Sequence, residues 1–295
     1  MPSSDRILSR ADRWRLRSKT LALPRRPLVM GIINVTPDSF SDGGRFLDSV
    51  AAIKHGIGLA TAGADLLDVG GESTRPYSES VSADEELRRV LPVVQAMCEM
   101  SNVPVSIDTS KAEVAEAAIA AGAEIINDVT GLAGDSRMID VARRTGAAVV
   151  AMHMQGNPQT MQDDPQYTDV RAEVLDYLRQ RRDALITAGI ERERICLDPG
   201  IGFGKTHQHN LTLLANCWRF HELGCPILIG HSRKGFIGKV LGDKTASTVA
   251  GTIGVACAMA SQGVQIVRVH DVAAVRQALM LFEAVINSGG TSVQH

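Results

Sequence analysis

Acids, amides and cations stand directly after the short apolar runs of this 295-residue sequence. They are Asn34, Asp108, Asn127, His153, Asp198, Ser232-Arg233-Lys234 and Arg268-Val269-His270. Paired Asp and Asn side chains suit a flat ligand with adjacent donors and acceptors, such as a heterocycle with an amino-amide edge. The cations Lys234, Arg268 and His270 suit an anionic group, because the fork of an Arg side chain matches phosphate oxygens.

One of these acids opens a Gly-rich loop that runs from Asp198 to Lys205 with the sequence DPGIGFGK. A phosphate-binding P-loop would need Gly where Pro199 stands, and a dinucleotide fingerprint would need Gly where Lys205 stands. An apolar run that ends in Asp and opens into a Gly-rich loop is typical of a strand that delivers an acid to a ligand-facing rim. The loop therefore predicts a binding site of another kind.

The elements that must position these residues alternate between strand and helix. Apolar runs without alternation, as in parallel strands covered on both faces, lie at 27–33, 65–69, 103–107, 123–126, 147–151, 194–197, 226–229 and 264–267. Helical patterns follow at 48–62, 83–100, 111–121, 136–145, 169–188, 209–223, 246–262 and 272–286, and Ala-Gly pairs at 62–63, 121–122 and 188–189 would end three of these helices. Eight such units predict an α/β protein with the (β/α)8 TIM-barrel fold, and a doubly wound open sheet is the alternative.

The position of the polar residues gains meaning from this fold. In a barrel the carboxyl ends of all strands meet at one rim, where barrel enzymes have their active sites. A single Asp or Asn after a strand is often only a helix N-cap, and His153 alone could be a packed loop histidine. Seven of the eight predicted strands end in such residues, which favours a shared site over separate caps.

Composition sets the broad class. A hydrophobic content of 44%, a charged content of 22% and a net charge of −2 are ordinary for a globular protein and favour no nucleic-acid partner. Residues 1–26 hold eight Lys or Arg against two Asp, so we interpret them as a basic N-terminal extension, solvated or at an edge, of a barrel domain over 27–295. No apolar run reaches the roughly 18 residues of a membrane span. Five cysteines without a Cys-x-x-Cys pair predict core residues in a reducing, cytoplasmic compartment.

The sequence contains no Cys/His cluster that would predict a zinc site. A hard cation such as Mg2+, held mainly by phosphate oxygens and one protein oxygen, is compatible with the residues at the rim.

Two long motifs are GIINVTPDSFSDGG at 31–44 and DVGGESTRP at 68–76. They resemble the first and second signatures of the dihydropteroate synthases, a pterin-binding TIM-barrel family. The loop at 198–205, Ser-Arg-Lys at 232–234 and Arg-Val-His-Asp at 268–271 match later motifs. The resemblance runs in order from about residue 28 to residue 285.

This resemblance implies a transferase of folate biosynthesis that joins 6-hydroxymethyl-7,8-dihydropterin diphosphate to 4-aminobenzoate with Mg2+, releasing diphosphate. Its implied substrate-binding residues are Thr74, Arg75, Pro76, Asp108, Asn127, Asp198, Phe203, Lys234, Arg268 and His270. Of these, Asp108, Asn127, Asp198 and Lys234 would hold the pterin, and Arg268 and His270 the diphosphate; Asp108, Lys234, Arg268 and His270 would be catalytic. Asn34 would bind the metal, the loops around 36–44 and 74–76 would close over the site, and a homodimer is expected.

Two positions depart from the family pattern: Gly235 where many members have Ser, and Tyr77 where many have Gly. They leave a non-catalytic pterin-binding paralogue as the alternative hypothesis. A corrinoid-linked methyltransferase on a related barrel is a third, although it would not need the cations Lys234 and Arg268 for diphosphate. Glu72 and Arg75 could form a salt bridge within their loop or serve the site.

Overall fold

Eight parallel strands form the centre of the protein. The computed structural model describes residues 10–36, 45–74, 78, 80–157, 159–242 and 248–288. Its strands are β1 (Arg13–Arg15), β2 (Thr20–Ala22), β3 (Leu28–Asn34), β4 (Leu66–Gly70), β5 (Val105–Asp108), β6 (Ile125–Asp128), β7 (Ala148–Met152), β8 (Ile195–Asp198), β9 (Leu228–Gly230) and β10 (Ile266–Val269). The helices are α1 (Arg45–Thr61), α2 (Ala83–Met100), α3 (Ala112–Ala120), α4 (Met138–Thr145), α5 (Val170–Thr187), α6 (His207–Leu214), α7 (Gly235–Leu241), α8 (Thr248–Ser261) and α9 (Val272–Ser288).

The strands close into a ring. Parallel pairing runs in the order β8-β7-β6-β5-β4-β3-β10-β9. The ring is completed where the N–H of Leu197 donates to the carbonyl of Pro226 at 2.9 Å and Leu197 bridges Ile227. The (β/α)8 barrel is thereby confirmed, and the open doubly wound sheet is wrong. Gly63, Gly122 and Gly189 end their helices with φ of 90°, 114° and 96°, as the Ala-Gly pairs predict.

The predicted helix at 209–223 is wrong in its middle. Helix α6 ends at Leu214, and a separate 3-10 helix occupies Cys217–Leu223. The side chain of Gln262 stabilises the break between the two helices. Its amide N–H donates to the carbonyl of Leu214 at 2.7 Å, and its oxygen accepts from the N–H of Trp218 at 3.2 Å. The short helix α7 was not predicted from the sequence at all.

Residues 13–22 form an antiparallel hairpin of β1 and β2 that covers the amino-terminal end of the barrel. Trp14, Leu16 and Leu23 are buried there against inward-facing strand residues: Met30, Leu66, Ile125, Ala148, Val150, Cys196, Leu228 and Ile266. The indole N–H of Trp14 donates to the carbonyl of Arg194 at 3.0 Å. The expectation of a solvated extension is therefore wrong for this hairpin, because its apolar side chains complete the barrel core.

A second, larger apolar layer lies between the outward faces of the strands and the surrounding helices. The barrel interior is thus apolar at its amino-terminal end, which leaves the carboxyl end for polar side chains. Of the helices in the described residues, none is long and apolar enough to cross a membrane.

Candidate active site

A buried network of acids and one guanidinium fills the carboxyl end of the barrel. Arg268 on β10 donates from Nε to Oδ2 of Asp68 on β4 at 2.5 Å and from a terminal nitrogen to Oδ2 of Asp108 on β5 at 2.6 Å. Asn127 on β6 donates to the same oxygen of Asp68 at 3.0 Å. Side chains from four strands therefore meet at one point.

The alternation of strand side chains explains this placement. Leu66, Ile125 and Ile266 belong to the apolar core beside Trp14, and the next inward position on each of their strands is Asp68, Asn127 or Arg268. Because side chains two residues apart share a face of a strand, each polar residue sits directly above an apolar one. The apolar layer below gives the network its rigid floor.

Burial sets the electrostatics of this network. It raises the pKa of Asp108 to about 7; the positive charge of Arg268 opposes that shift and the negative charge of Asp68 adds to it. Burial alone would lower the pKa of Arg268, but the two carboxylates raise it above its ordinary value. Arg268 therefore stays charged, while Asp108 can change its protonation state near neutral pH.

Asp198 and Lys234 carry opposite charges close enough to influence each other's pKa. Oδ1 of Asp198, at the end of β8, accepts from the N–H of Gly200 at 2.7 Å. Nζ of Lys234 donates to the carbonyl of Ile201 and lies 4.5 Å from the ring centre of Phe203. Burial lowers the pKa of Lys234 to about 8, against the opposing charge of Asp198, and burial raises the pKa of Asp198, against the charge of Lys234.

The Gly-rich loop does not cradle phosphate with its lysine. Lys205 is only 2% exposed, and its Nζ contacts Nδ1 of His153 and the carbonyl of Phe203, both at 2.9 Å. At Gly200, where φ is 68°, an added Cβ would lie 1.9 Å from the carbonyl oxygen of His153. The glycines therefore let the loop lie flush on the end of β7, with its lysine turned inward.

His153 belongs to the support of this loop. It is 6% exposed, and its ring packs edge-on against Tyr177 at 4.7 Å. Burial and the neighbouring Lys205 lower its pKa to about 3, so the ring is neutral. The packed loop histidine that the sequence left open is thus the observed arrangement.

The rim above β9 and β10 carries the remaining basic side chains, Arg233 and His270. Oγ of Ser232 lies 3.0 Å from Nδ1 of His270 and accepts from its backbone N–H at 3.3 Å. Arg233 points away to a two-point ion pair with Asp271, with one contact of 2.7 Å. The three residues of the Ser-Arg-Lys motif therefore have different roles. Ser232 orients His270, Arg233 binds Asp271, and Lys234 interacts electrostatically with Asp198.

Asn34 is the last residue of β3 and Thr74 follows β4, and both side chains are partly buried. Since β3 pairs directly with β10, Asn34 is on the strand beside Arg268 and His270. Arg75, Pro76, Tyr77 and most of the 36–44 loop lie outside the described residues. Glu72 forms an ion pair with Lys111 at 2.5 Å. The alternative of a salt bridge between Glu72 and Arg75 stays open, because Arg75 lies outside the described residues. No group of three or more His, Cys, Asp or Glu side chains in the described part of the chain is placed to hold a metal.

Asp68 is the residue of this site that the sequence argument missed. It is fully buried, and its Oδ1 has no hydrogen-bond partner among the described residues. A carboxylate inside the apolar run Leu66-Leu67-Asp68-Val69 was the available signal, since buried charges are retained only where they are paired. It was overlooked because it lies inside its strand rather than after it.

The pterin-binding enzyme family model matches residues 30–270. The curated dihydropteroate synthase of Escherichia coli (strain K12) is 46% identical over 262 residues, which cover 89% of this chain and 93% of that protein. The chain belongs to the dihydropteroate synthases. A more distant member, from Bacillus subtilis (strain 168), is 41% identical over 270 residues, and the match covers 92% of each chain.

Solved structures of this family have the same fold. Dihydropteroate synthase of Xanthomonas albilineans with 4-aminobenzoic acid superposes with a TM-score of 0.87 at 46% identity, covering 94% of this chain and 98% of that one. The same enzyme in complex with 7,8-dihydropteroate gives a TM-score of 0.83 at 44% identity, covering 93% and 98%. These relatives are named as synthases, which favours the synthase hypothesis over the non-catalytic paralogue.

Proposed function

We infer that the protein is a dihydropteroate synthase, a transferase of folate biosynthesis. It condenses 6-hydroxymethyl-7,8-dihydropterin diphosphate with 4-aminobenzoate and releases 7,8-dihydropteroate and diphosphate. The observation that carries this inference is the two-sided charge of the site. Two acids and an amide, Asp108, Asp198 and Asn127, lie at the same end of the barrel as the cations Lys234 and Arg268, so this site suits a donor-rich heterocycle with an anionic tail.

The pterin would lie on the acidic side. Asp198 keeps Oδ2 for a ligand while Oδ1 accepts from Gly200, and a carboxylate at this depth can accept from the amino-amide edge of the ring. Asn127 and Asp108 would complete the hydrogen bonds around the heterocycle. Burial of these groups favours the proposal, because hydrogen bonds to charged groups strengthen where water is excluded.

The diphosphate would lie on the cationic side. Arg268 has five N–H donors, and among the described residues Asp68 and Asp108 take two of them, which leaves three for phosphate oxygens. His270, oriented by Ser232, lies at the end of the same strand. Together these side chains would stabilise the charge that develops on the leaving diphosphate.

Asn34 fits a role in holding Mg2+. Its amide oxygen is a hard donor on the strand next to Arg268, and Mg2+ is commonly held by one or two protein oxygens together with substrate phosphates. When bound, the ion would neutralise negative charge on the diphosphate oxygens.

The second substrate would bind beside Phe203 and Lys234, and the family resemblance adds Thr74, Arg75 and Pro76 to its binding residues. The C–O bond between the pterin methylene and the diphosphate breaks, and its electron pair leaves with the diphosphate. The amine nitrogen of 4-aminobenzoate then forms the new C–N bond, and its proton passes to the released diphosphate or to solvent. Asp108, close to the ring as a carboxylate, would stabilise the positive charge on the methylene, and a dry site protects that cation from water.

The test is to incubate the purified protein with the pterin diphosphate, labelled 4-aminobenzoate and Mg2+, and to measure labelled dihydropteroate. We expect product. Asp198→Asn should weaken pterin binding measured by calorimetry, because a charged acceptor is lost. Arg268→Ala should weaken binding of the pterin diphosphate far more than that of the bare pterin alcohol. Absence of product together with tight pterin binding would favour the hypothesis of a non-catalytic paralogue instead.

We also propose that the protein is a homodimer in the cytoplasm. Helix α9 exposes a row of apolar side chains, with Met280, Leu281 and Val285 at 50%, 67% and 63% exposure. A second copy of the chain would remove them from water. Light scattering should give a mass in solution of two chains, and Leu281→Glu should reduce this mass to that of one chain. A monomeric wild-type protein would refute the dimer.

A further inference from the structure

The strand-to-loop turn that follows β4 is tied down by an ion triad outside the network of Asp68 and Arg268. Nζ of Lys111 lies 2.5 Å from Oε2 of Glu72 and 2.6 Å from Oε2 of Glu86. Glu86 on α2 is fully buried, whereas Glu72 and Lys111 are about one-fifth exposed (21% and 23%). The three residues come from three different elements, so the triad fixes their relative positions.

Glu72 also ties the two ends of its own loop together. Its second oxygen, Oε1, accepts from the N–H of Val81 at 3.1 Å. Just beyond it, Oγ of Ser78 donates to the carbonyl of Ser73 at 2.5 Å. Glu72 and Ser73 are therefore held beside Val81 and Ser78, and Glu72 connects this part of the chain to Lys111.

Further contacts leave the turn little freedom. Arg89 on α2 donates to the carbonyl of Gly71 at 3.0 Å. A Cβ added at Gly71 would lie 2.7 Å from Cγ1 of Val90, so the backbone runs flush against the helix. On the other side, Lys111 follows the end of β5 by three residues, and the N–H of Thr109 donates to the carbonyl of Asn127 at 3.0 Å.

We propose that Glu72 and Lys111 are positioning residues for the second substrate, which rests on the proposed function. Thr74 stands two residues after Glu72, and Asp108 stands three residues before Lys111. The ion pair thus sets the distance between the 4-aminobenzoate wall at Thr74 and the pterin side at Asp108. Glu86 anchors Lys111 from below, where its buried carboxylate has no other charged partner among the described residues.

The decisive variant is Glu72→Gln. Its amide oxygen can still accept from the N–H of Val81 and it leaves the pair of Lys111 with Glu86 in place, so the fold is retained. We expect the KM for 4-aminobenzoate to rise about tenfold, as for loss of one charge-assisted hydrogen bond. The KM for the pterin diphosphate should stay within about twofold, because Asp108, Asn127 and Asp198 do not touch Glu72.

The matched control is Asp65→Asn, at the opposite end of the same strand. Asp65 also accepts one backbone N–H, from Val29 at 2.9 Å, and pairs with one cation, Arg276 at 3.4 Å. Its side chain is 28% exposed, close to the 21% of Glu72. A purely structural role predicts that both variants change stability and leave both KM values alone.

A double-mutant cycle is completed by the single variant Lys111→Met and by the double variant that combines it with Glu72→Gln. We expect the two KM effects to be non-additive, because each change removes the same ion pair. Equal KM values for 4-aminobenzoate in Glu72→Gln and Asp65→Asn would overturn the proposal, as would a parallel rise in both KM values. Turnover by the unaltered protein is measured first: without it the proposed function itself fails, and that result is distinct from a failure of the ion pair.

Discussion

The clearest test of the network is Asp68→Asn, which removes one negative charge and hardly changes the side-chain volume. Asp68 is fully buried and holds Arg268 at 2.5 Å and Asn127 at 3.0 Å. Both Arg268 and Asn127 donate to Oδ2, so a new amide oxygen at that place can still accept from both. The negative charge that attracts Arg268 is lost, however, and the new N–H donors face a position where Oδ1 has no partner among the described residues.

The size of the effect follows from these contacts. Loss of one partner of a buried ion pair costs about 3–5 kcal/mol when the other charge is left alone. Arg268 retains Asp108 at 2.6 Å, so the cost should approach that of one charged hydrogen bond, about 2–3 kcal/mol. An Arg268 fork that shifts by about an ångström should lower kcat/KM for the pterin diphosphate about 100-fold.

The measurement combines urea unfolding with steady-state kinetics at matched folded fraction. Asp128→Asn is the control, because Asp128 is equally buried but, among the described residues, its carboxylate accepts hydrogen bonds only within its own turn, from Thr130 and Leu132. It should lose stability and keep its kcat/KM. If Asp68→Asn lowers kcat/KM no more than this control does, Asp68 does not orient Arg268 and the reasoning is refuted.

Three further predictions concern the pH profile, the second substrate and the core. First, kcat/KM for the pterin diphosphate should rise with pH as Asp108 loses its proton near 7 and fall as Lys234 loses its charge near 8; in Lys234→Arg the fall should vanish. Second, Gly235→Ser should lower the KM for 4-aminobenzoate by up to about tenfold through one hydrogen bond to its carboxylate, because an added Cβ lies 3.9 Å from His207 and meets no clash. Third, Trp14→Ala should cost about 3–5 kcal/mol in urea unfolding and leave kcat per folded molecule unchanged, because Trp14 lies at the far end of the barrel.

Each of these has an outcome that would contradict it. A flat profile between pH 6 and 9 (roughly one unit beyond each pKa) would show that neither Asp108 nor Lys234 titrates in the free enzyme. A higher KM for Gly235→Ser would show that the position must stay small. For Trp14→Ala the comparison is Trp218→Ala, because Trp218 is only partly buried; equal losses of stability would mean that the hairpin adds nothing specific to the core.

Much of the architecture could be predicted from the sequence because it is local in origin. The eight apolar runs, the Ala-Gly helix ends and the polar residues after seven of the strands depend on periodicity, backbone conformation and chain direction. Once the fold class is known, the carboxyl ends of parallel strands must converge, so Asp108, Asn127, Asp198 and Arg268 could be grouped without coordinates. All of the eight predicted strands are present, with ends that differ by one or two residues.

Other features depend on contacts between residues that are distant in the chain. Asp68 becomes a site residue only because β10 brings Arg268 within 2.5 Å of it, 200 positions away. Gln262 breaks the helix at Leu214 from 48 positions away. Trp14 becomes part of the core only when the barrel beneath it exists.

The sequence by itself thus determined which elements form and which residues reach the rim, because short-range geometry encodes both. Tertiary structure alone decided how charges pair. It turned Lys205 inward to His153 rather than toward a phosphate, and it joined Lys111 to Glu72. An ion pair depends on distance and burial, and neither of these is a property of a residue type or of a spacing along the chain.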